Sequence, residues 1–112
     1  MGYAKRVDGT HAAIVKALRK VGCQVKDCSR VGQGFPDLVV RAPLYYYGMA
    51  TERNARVVRI LLMEVKRPKG KLTPDQETFI AEWPEVVVVR SVKDALAAVG
   101  VVVSFGAAEP GR

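Results

Sequence analysis

The chain has 112 residues, 49% of them hydrophobic and 26% charged, the composition of one globular domain with no room for a second. No run of eighteen or more apolar residues occurs, which excludes a helical membrane span, and residues 1–6 lack the apolar core of a signal peptide, so a cytoplasmic location is expected. The net charge of +7 is uneven, at +5 over residues 1–41, +5 over 42–72 and −3 over 73–112. One positive surface is therefore expected, with a polyanion, most often nucleic acid, as its natural partner; the alternative is charge that serves solubility alone.

The first periodic segment starts at Thr10, a good N-cap. Ile14, Leu18 and Val21 recur at helical spacing between Lys16, Arg19 and Lys20, and Gly22 follows as a C-terminal cap. A helix over 10–21 is the reading. Cys23 to Cys28 alternates weakly and suits a strand. Its two cysteines are too few for a disulfide scaffold and are not spaced C-x-x-C, so they read as reduced thiols, buried or half-buried. Ser29 to Pro36 is a loop, and Asp37-Leu38-Val39-Val40 a short apolar strand that opens on an acid. Pro43 to Asn54 contains three consecutive tyrosines and reads as a turn or hairpin tip. Val57 to Lys66 is the strongest strand, apolar enough to be central.

Arg67 to Lys71 is a basic loop. Thr73-Pro74-Asp75-Gln76 combines an N-cap, a proline at the first helical position and a glutamine placed to close a capping box, so a helix runs from there to about Trp83. Glu85 to Arg90 is a buried strand. Ser91 caps a short helix ending near Val99-Gly100, Val101 to Phe105 adds a further candidate strand, and the segment after Gly106 reads as a disordered tail. The order α-β-β-β-α-β-α, with an optional last strand, describes an α/β fold with a mixed sheet flanked by helices.

Three titratable residues stand at strand ends. Asp37 opens one strand, and Glu64 and Lys66 close the next, on the same face because strand residues i and i+2 share a face. If the two strands pair as a hairpin, two carboxylates and one ammonium converge. Mg²⁺ or Mn²⁺ is commonly held by one or two carboxylates plus waters and substrate phosphate, so Asp37 and Glu64, with the Val65 carbonyl as a third oxygen, suit metal-assisted phosphodiester cleavage. Lys66 would orient or deprotonate the water. The plain alternative for Glu64 and Lys66 is a solvated ion pair at a strand end, worth at most about 1 kcal/mol. His11 is the only histidine, which nearly excludes a histidine-built zinc site.

Gly34-Phe35-Pro36-Asp37-Leu38-Val39-Val40, the long block from Met63 to Gln76, and Val88 to Val92 closely resemble the VRR-NUC branch of the PD-(D/E)XK nucleases, and the resemblance covers most of the chain. It implies a restriction-endonuclease-like core over residues 1–105 and divalent-metal-dependent nuclease activity. It maps the catalytic residues onto Asp37, Glu64 and Lys66, and adds Gln76 near the active centre. It implies that stand-alone phage or bacterial members of this size form homodimers arranged like Holliday junction resolvases, while larger relatives carry the domain in DNA repair. Many members have an acidic metal ligand on the first helix. Here His11 takes that place, with Asp8 one turn away as a substitute, which leaves the number of metals open.

Around this centre, Arg67, Lys69 and Lys71 are either a phosphate-binding loop or solvated turn charges. Arg53, Arg56 and Arg59 flank Tyr45–Tyr47. The tyrosines either stack on DNA, with the arginines on its backbone, or pack at a dimer interface or over the sheet. Trp83 reads as a core or interface anchor. The expected activity is structure-specific cleavage of branched or Holliday-junction-like DNA with Mg²⁺ or Mn²⁺. The competing readings are a non-catalytic basic DNA-binding module, and an interaction protein in which the acid-x-lysine is a plain ion pair.

Overall fold

In the first helix, Ile14 and Leu18 stand one turn apart and are fully buried, while Lys16, Arg19 and Lys20 remain exposed. This is α1 (Gly9–Lys20) of the computed structural model of the chain, which describes residues 9–43 and 58–100. Asp8, Tyr45–Tyr47, Arg53, Arg56, the expected strand at 101–105 and the expected tail lie outside the described residues. Gly9 already has helical backbone, so Thr10 lies in the first turn instead of capping it. At the other end Gly22 adopts φ 97°, its N–H donates to Arg19 O, and the Cys23 N–H donates to Leu18 O. That is a Schellman closure, which needs the left-handed conformation glycine tolerates. It also occupies the Cys23 amide, so strand β1 (Gln24–Asp27) starts one residue later than the alternation predicts.

β1, β2 (Leu38–Pro43) and β3 (Val58–Val65) form an antiparallel meander. β4 (Val87–Val89) then adds parallel to β3, reached through α2 (Pro74–Glu82) as the crossover that parallel pairing requires. The sheet order is β1-β2-β3-β4, mixed, with α3 (Val92–Ala98) packed against α1 and β4. The expected α-β-β-β-α-β-α order and restriction-endonuclease-like arrangement are thus present. β4 is shorter than the expected 85–90. Its entry is taken by a turn in which Val86 N–H donates to Trp83 O, and its exit by Arg90 N–H donating to the Asp94 carboxylate.

Alternation in the strands places Val25, Leu38, Val40, Leu61 and Met63 in one core under Ile14 and Leu18. Cys23 is buried and Cys28 half-buried, both as free thiols. Among the described residues, no helix is long and apolar enough to cross a membrane.

Candidate active site

The β2–β3 register sets the site. Leu38 pairs with Met63 and Val40 with Leu61, so the next position out places Asp37 across from Glu64. The ladder continues on the other side, where Cys28 N–H donates to Asp37 O at 2.6 Å, and Glu64 pairs with Val88. One row across four strands therefore carries Cys28, Asp37, Glu64 and Val88, with the two acids in its middle.

The acids are held differently. Asp37 Oδ2 accepts from the Val65 N–H at 2.9 Å, which ties the start of β2 to the end of β3. Glu64 is only 2% exposed and accepts at Oε2 from Gln76 Nε2 at 2.7 Å. Burial, then the adjacent Asp37 carboxyl, push the Glu64 carboxyl up from 4.5 to about 8, against a smaller pull from Lys66. Among the described residues no ion pair joins Glu64 to Lys66. The plain solvated ion pair is thereby excluded for Glu64.

Gln76 does two jobs with one amide. Its Oε1 accepts from Thr73 N–H at 2.8 Å, while the Gln76 N–H donates to Thr73 Oγ1 at 3.2 Å, completing the expected capping box. Because the Thr73 N–H can only donate, it fixes the amide oxygen on its side and turns the NH₂ toward Glu64. The start of α2 is held against the 29–36 loop by a close approach at Gly34. With φ 80°, a Cβ there would collide with the Asp75 carbonyl.

Asp37, Glu64, Val65, Lys66, Arg67 and Gln76 line one cleft of about 390 Å³. His11 lines it too, from α1. Lys69 and Lys71 are exposed on the loop that follows, and Arg59 is exposed near the other end of β3. Arg53 and Arg56 lie outside the described residues.

Asp27 and Ser29, which no catalytic motif in the sequence singles out, also line this cleft. Asp27 closes β1 on the same face as buried Val25, toward α1. Its Oδ2 lies 3.0 Å from His11 Nε2, and its Oδ1 accepts from the Ser29 N–H at 2.9 Å and hydroxyl at 2.6 Å. These partners, chiefly Ser29, hold the Asp27 carboxyl down to about 2. The readable signal was Asp27-Cys28-Ser29, an Asx-turn sequence closing a strand where the Asp37 strand begins. Trp83 is not a core residue: it is 51% exposed and stacks on Phe79, which meets Phe35 edge-on.

The family model of the VRR-NUC domain aligns with residues 4–92, a span that contains α1, all four strands and the whole cleft described above. No curated protein and no solved structure matches the chain. With the carboxyl pair, the acid-x-lysine strand end and the basic loop all inside the matched span, the chain belongs to the VRR-NUC family and carries a nuclease-type, DNA-binding domain.

Proposed function

We propose that this chain is a divalent-metal-dependent, structure-specific DNA endonuclease that cuts phosphodiester bonds by direct attack of water, without a covalent intermediate. Branched or four-way-junction DNA is the proposed substrate and a homodimer the working form, since two copies would bring two centres to two strands. The observation that carries this reading is the meeting of Asp37 with buried Glu64 in a cleft that also holds Lys66.

The donor set fits Mg²⁺ or Mn²⁺. It consists of two carboxylates and, by position, the Val65 carbonyl, all hard oxygens. Among the described residues no group of three or more His, Cys, Asp or Glu side chains closes around a common point. Such a site would leave coordination positions to water and phosphate, as Mg²⁺ prefers. Glu64, sunk beside a second carboxyl and pushed up to about 8, is the group a cation would stabilise in its charged form. What the ion supplies when bound is Lewis acidity toward the phosphate and acidification of a water.

The chain's own residues supply the rest. Asp37 and Glu64 fix where the ion sits. Lys66 orients the attacking water or takes its proton and contacts the phosphate. Gln76 holds the Glu64 carboxylate oxygen in place. Arg67, Lys69 and Lys71 bind the DNA backbone. His11 has its Nε2 committed to Asp27 and is left out of the proposed ligand set.

The test is cleavage of end-labelled four-way-junction, flap, single-stranded and duplex DNA with Mg²⁺ or Mn²⁺, with Lys66→Ala alongside. Metal-dependent cuts, strongest on the branched substrates and absent in Lys66→Ala, are the expected result. No cuts on any substrate, together with tight binding that EDTA leaves unchanged, would establish the non-catalytic DNA-binding module instead.

A further inference from the structure

Arg90 stands one residue beyond β4, beside the start of the basic loop, because Lys66 N–H donates to the preceding residue's carbonyl, Val89 O, at 3.0 Å. Its guanidinium enters the most cationic stretch of the chain, where Lys66, Arg67, Lys69 and Lys71 fall within six residues. On charge alone it should be repelled. It is instead held by main-chain carbonyls. Arg90 Nη1 donates to Arg67 O at 2.9 Å and Gly70 O at 2.6 Å, with Pro68 O more distant at 3.4 Å. The Gly70 N–H donates back to Arg67 O at 2.9 Å, closing the same turn.

The arrangement is a small bowl of carbonyls wrapped around one nitrogen. A turn whose carbonyls point inward at a common cation has its backbone path set by that cation. Without it, three carbonyl dipoles converge on nothing and four neighbouring positive charges drive the loop open. A charge-assisted hydrogen bond is about twice as strong as a neutral one, so this centre outweighs the ordinary turn bond beside it.

We infer that Arg90 is a positioning residue for the basic loop, acting through the loop's carbonyls to present Arg67, Lys69 and Lys71 as one preformed phosphate-binding rim next to Lys66. The inference rests on the nuclease reading for what the rim contacts, but the order of the loop is testable without it. All three contacts come from one nitrogen and none uses the guanidinium fork. A lysine ammonium at this position can therefore serve in place of arginine.

The experiment compares Arg90→Ala and Arg90→Lys with the unmodified protein. Amide hydrogen exchange is read first, with no DNA and no metal. In Arg90→Ala, exchange of the Gly70 amide, which is hydrogen-bonded to Arg67 O, rises by about tenfold or more while β2 and β3 keep their protection; in Arg90→Lys it stays protected. Unchanged loop protection in Arg90→Ala overturns the inference, whatever the protein's activity. Loss of protection in β2 and β3 of both variants overturns it too, in favour of a role in the fold at large.

DNA binding is read second, against salt. Loss of one direct phosphate contact lowers the slope of log K against log salt by about 0.9, whereas release of the three-cation rim lowers it by about two to three contacts' worth. The larger change in Arg90→Ala, restored in Arg90→Lys, is expected. A change of one contact would make Arg90 a direct phosphate ligand and overturn the positioning role. If the unmodified protein cuts and binds no DNA, the nuclease reading falls, and the exchange result alone decides on the loop.

Discussion

The cleft contains two acid centres that the same sheet end supports in opposite ways. Glu64 is buried beside Asp37 with one neutral donor, and its carboxyl is pushed up to about 8. Asp27 is half-exposed, takes two hydrogen bonds from Ser29 and faces His11, and its carboxyl is held down to about 2. Asp27 is a satisfied anion that needs nothing further. Glu64 is charged at neutral pH only at a cost, which a cation bound beside it would offset. Two carboxyls at one end of the sheet thus separate into a satisfied anion and a destabilised one, through burial, the adjacent Asp37 carboxyl and the number of hydrogen-bond partners.

The comparison breaks most sharply on activity. Asp37→Asn or Glu64→Gln should lower the cleavage rate by about 10³-fold or more, because each removes a charge that holds the proposed ion. Asp27→Asn should cost about tenfold or less, since it loosens His11 without touching the carboxyl pair. Equal losses in single-turnover cleavage assays would show that the two centres are not distinct.

Next in size is Gly34→Ala. The new methyl meets the Asp75 carbonyl on a backbone at φ 80°, so the loop and the start of α2 must separate, at a cost of about 3 kcal/mol in urea unfolding. Gln76 moves with α2, so the Glu64 side of the site should suffer and the His11–Asp27 contact should survive. Loss of both, seen as changes at His11 in NMR spectra, would mean that the cleft shifts as one body.

The pH dependence of stability should have opposite signs at the two centres. The raised Glu64 carboxyl binds a proton in the folded chain that the unfolded chain releases above 4.5. Its contribution is therefore complete below 4.5, falls as pH rises to about 8, and is level beyond. With EDTA present, Glu64→Gln should raise the melting temperature at pH 9 by about 10 °C or more and leave it unchanged near pH 4. The lowered Asp27 contributes fully above 3.8, and its contribution is lost as pH falls toward 2, so Asp27→Asn should lower the melting temperature above about pH 4 and converge on the unmodified protein near pH 2. A melting temperature for Glu64→Gln that parallels the unmodified protein at every pH would remove the contrast.

The smallest effect separates the two jobs of Gln76. Thr73→Ala removes the cap and should cost about 1 kcal/mol of stability with little change in cleavage; Gln76→Ala should cost a similar amount and slow cleavage as well. Equal cleavage by the two variants would reduce Gln76 to a capping residue.

Much of this was legible because local rules agreed with the fold. The Thr73-Pro74-Asp75-Gln76 start, the Gly22 stop and the apolar run to Met63 each specify one structure, and each forms it. Asp37 and Glu64 were legible because both sit at the ends of apolar strands, where an acid is conspicuous. Asp27 was not, because its strand is short and polar, and its partner His11 is 16 residues away on a helix. The role of Arg90 was equally hidden, since carbonyl partners leave no trace in side-chain identity. The parallel addition of β4 follows from the crossover through α2, and strand patterning alone does not state it.

The pairing of β2 with β3 has a consequence for how this chain can vary. A slip of two residues keeps every side chain on its own face, so Leu38, Val40, Leu61 and Met63 would still meet an apolar layer. The same slip would carry Asp37 about 7 Å along its neighbour, away from Glu64 and opposite Lys66. A hydrophobic core accepts such an error and the chemistry does not. The segment joining the two strands can thus change in length and composition, provided that it returns the chain to this one alignment.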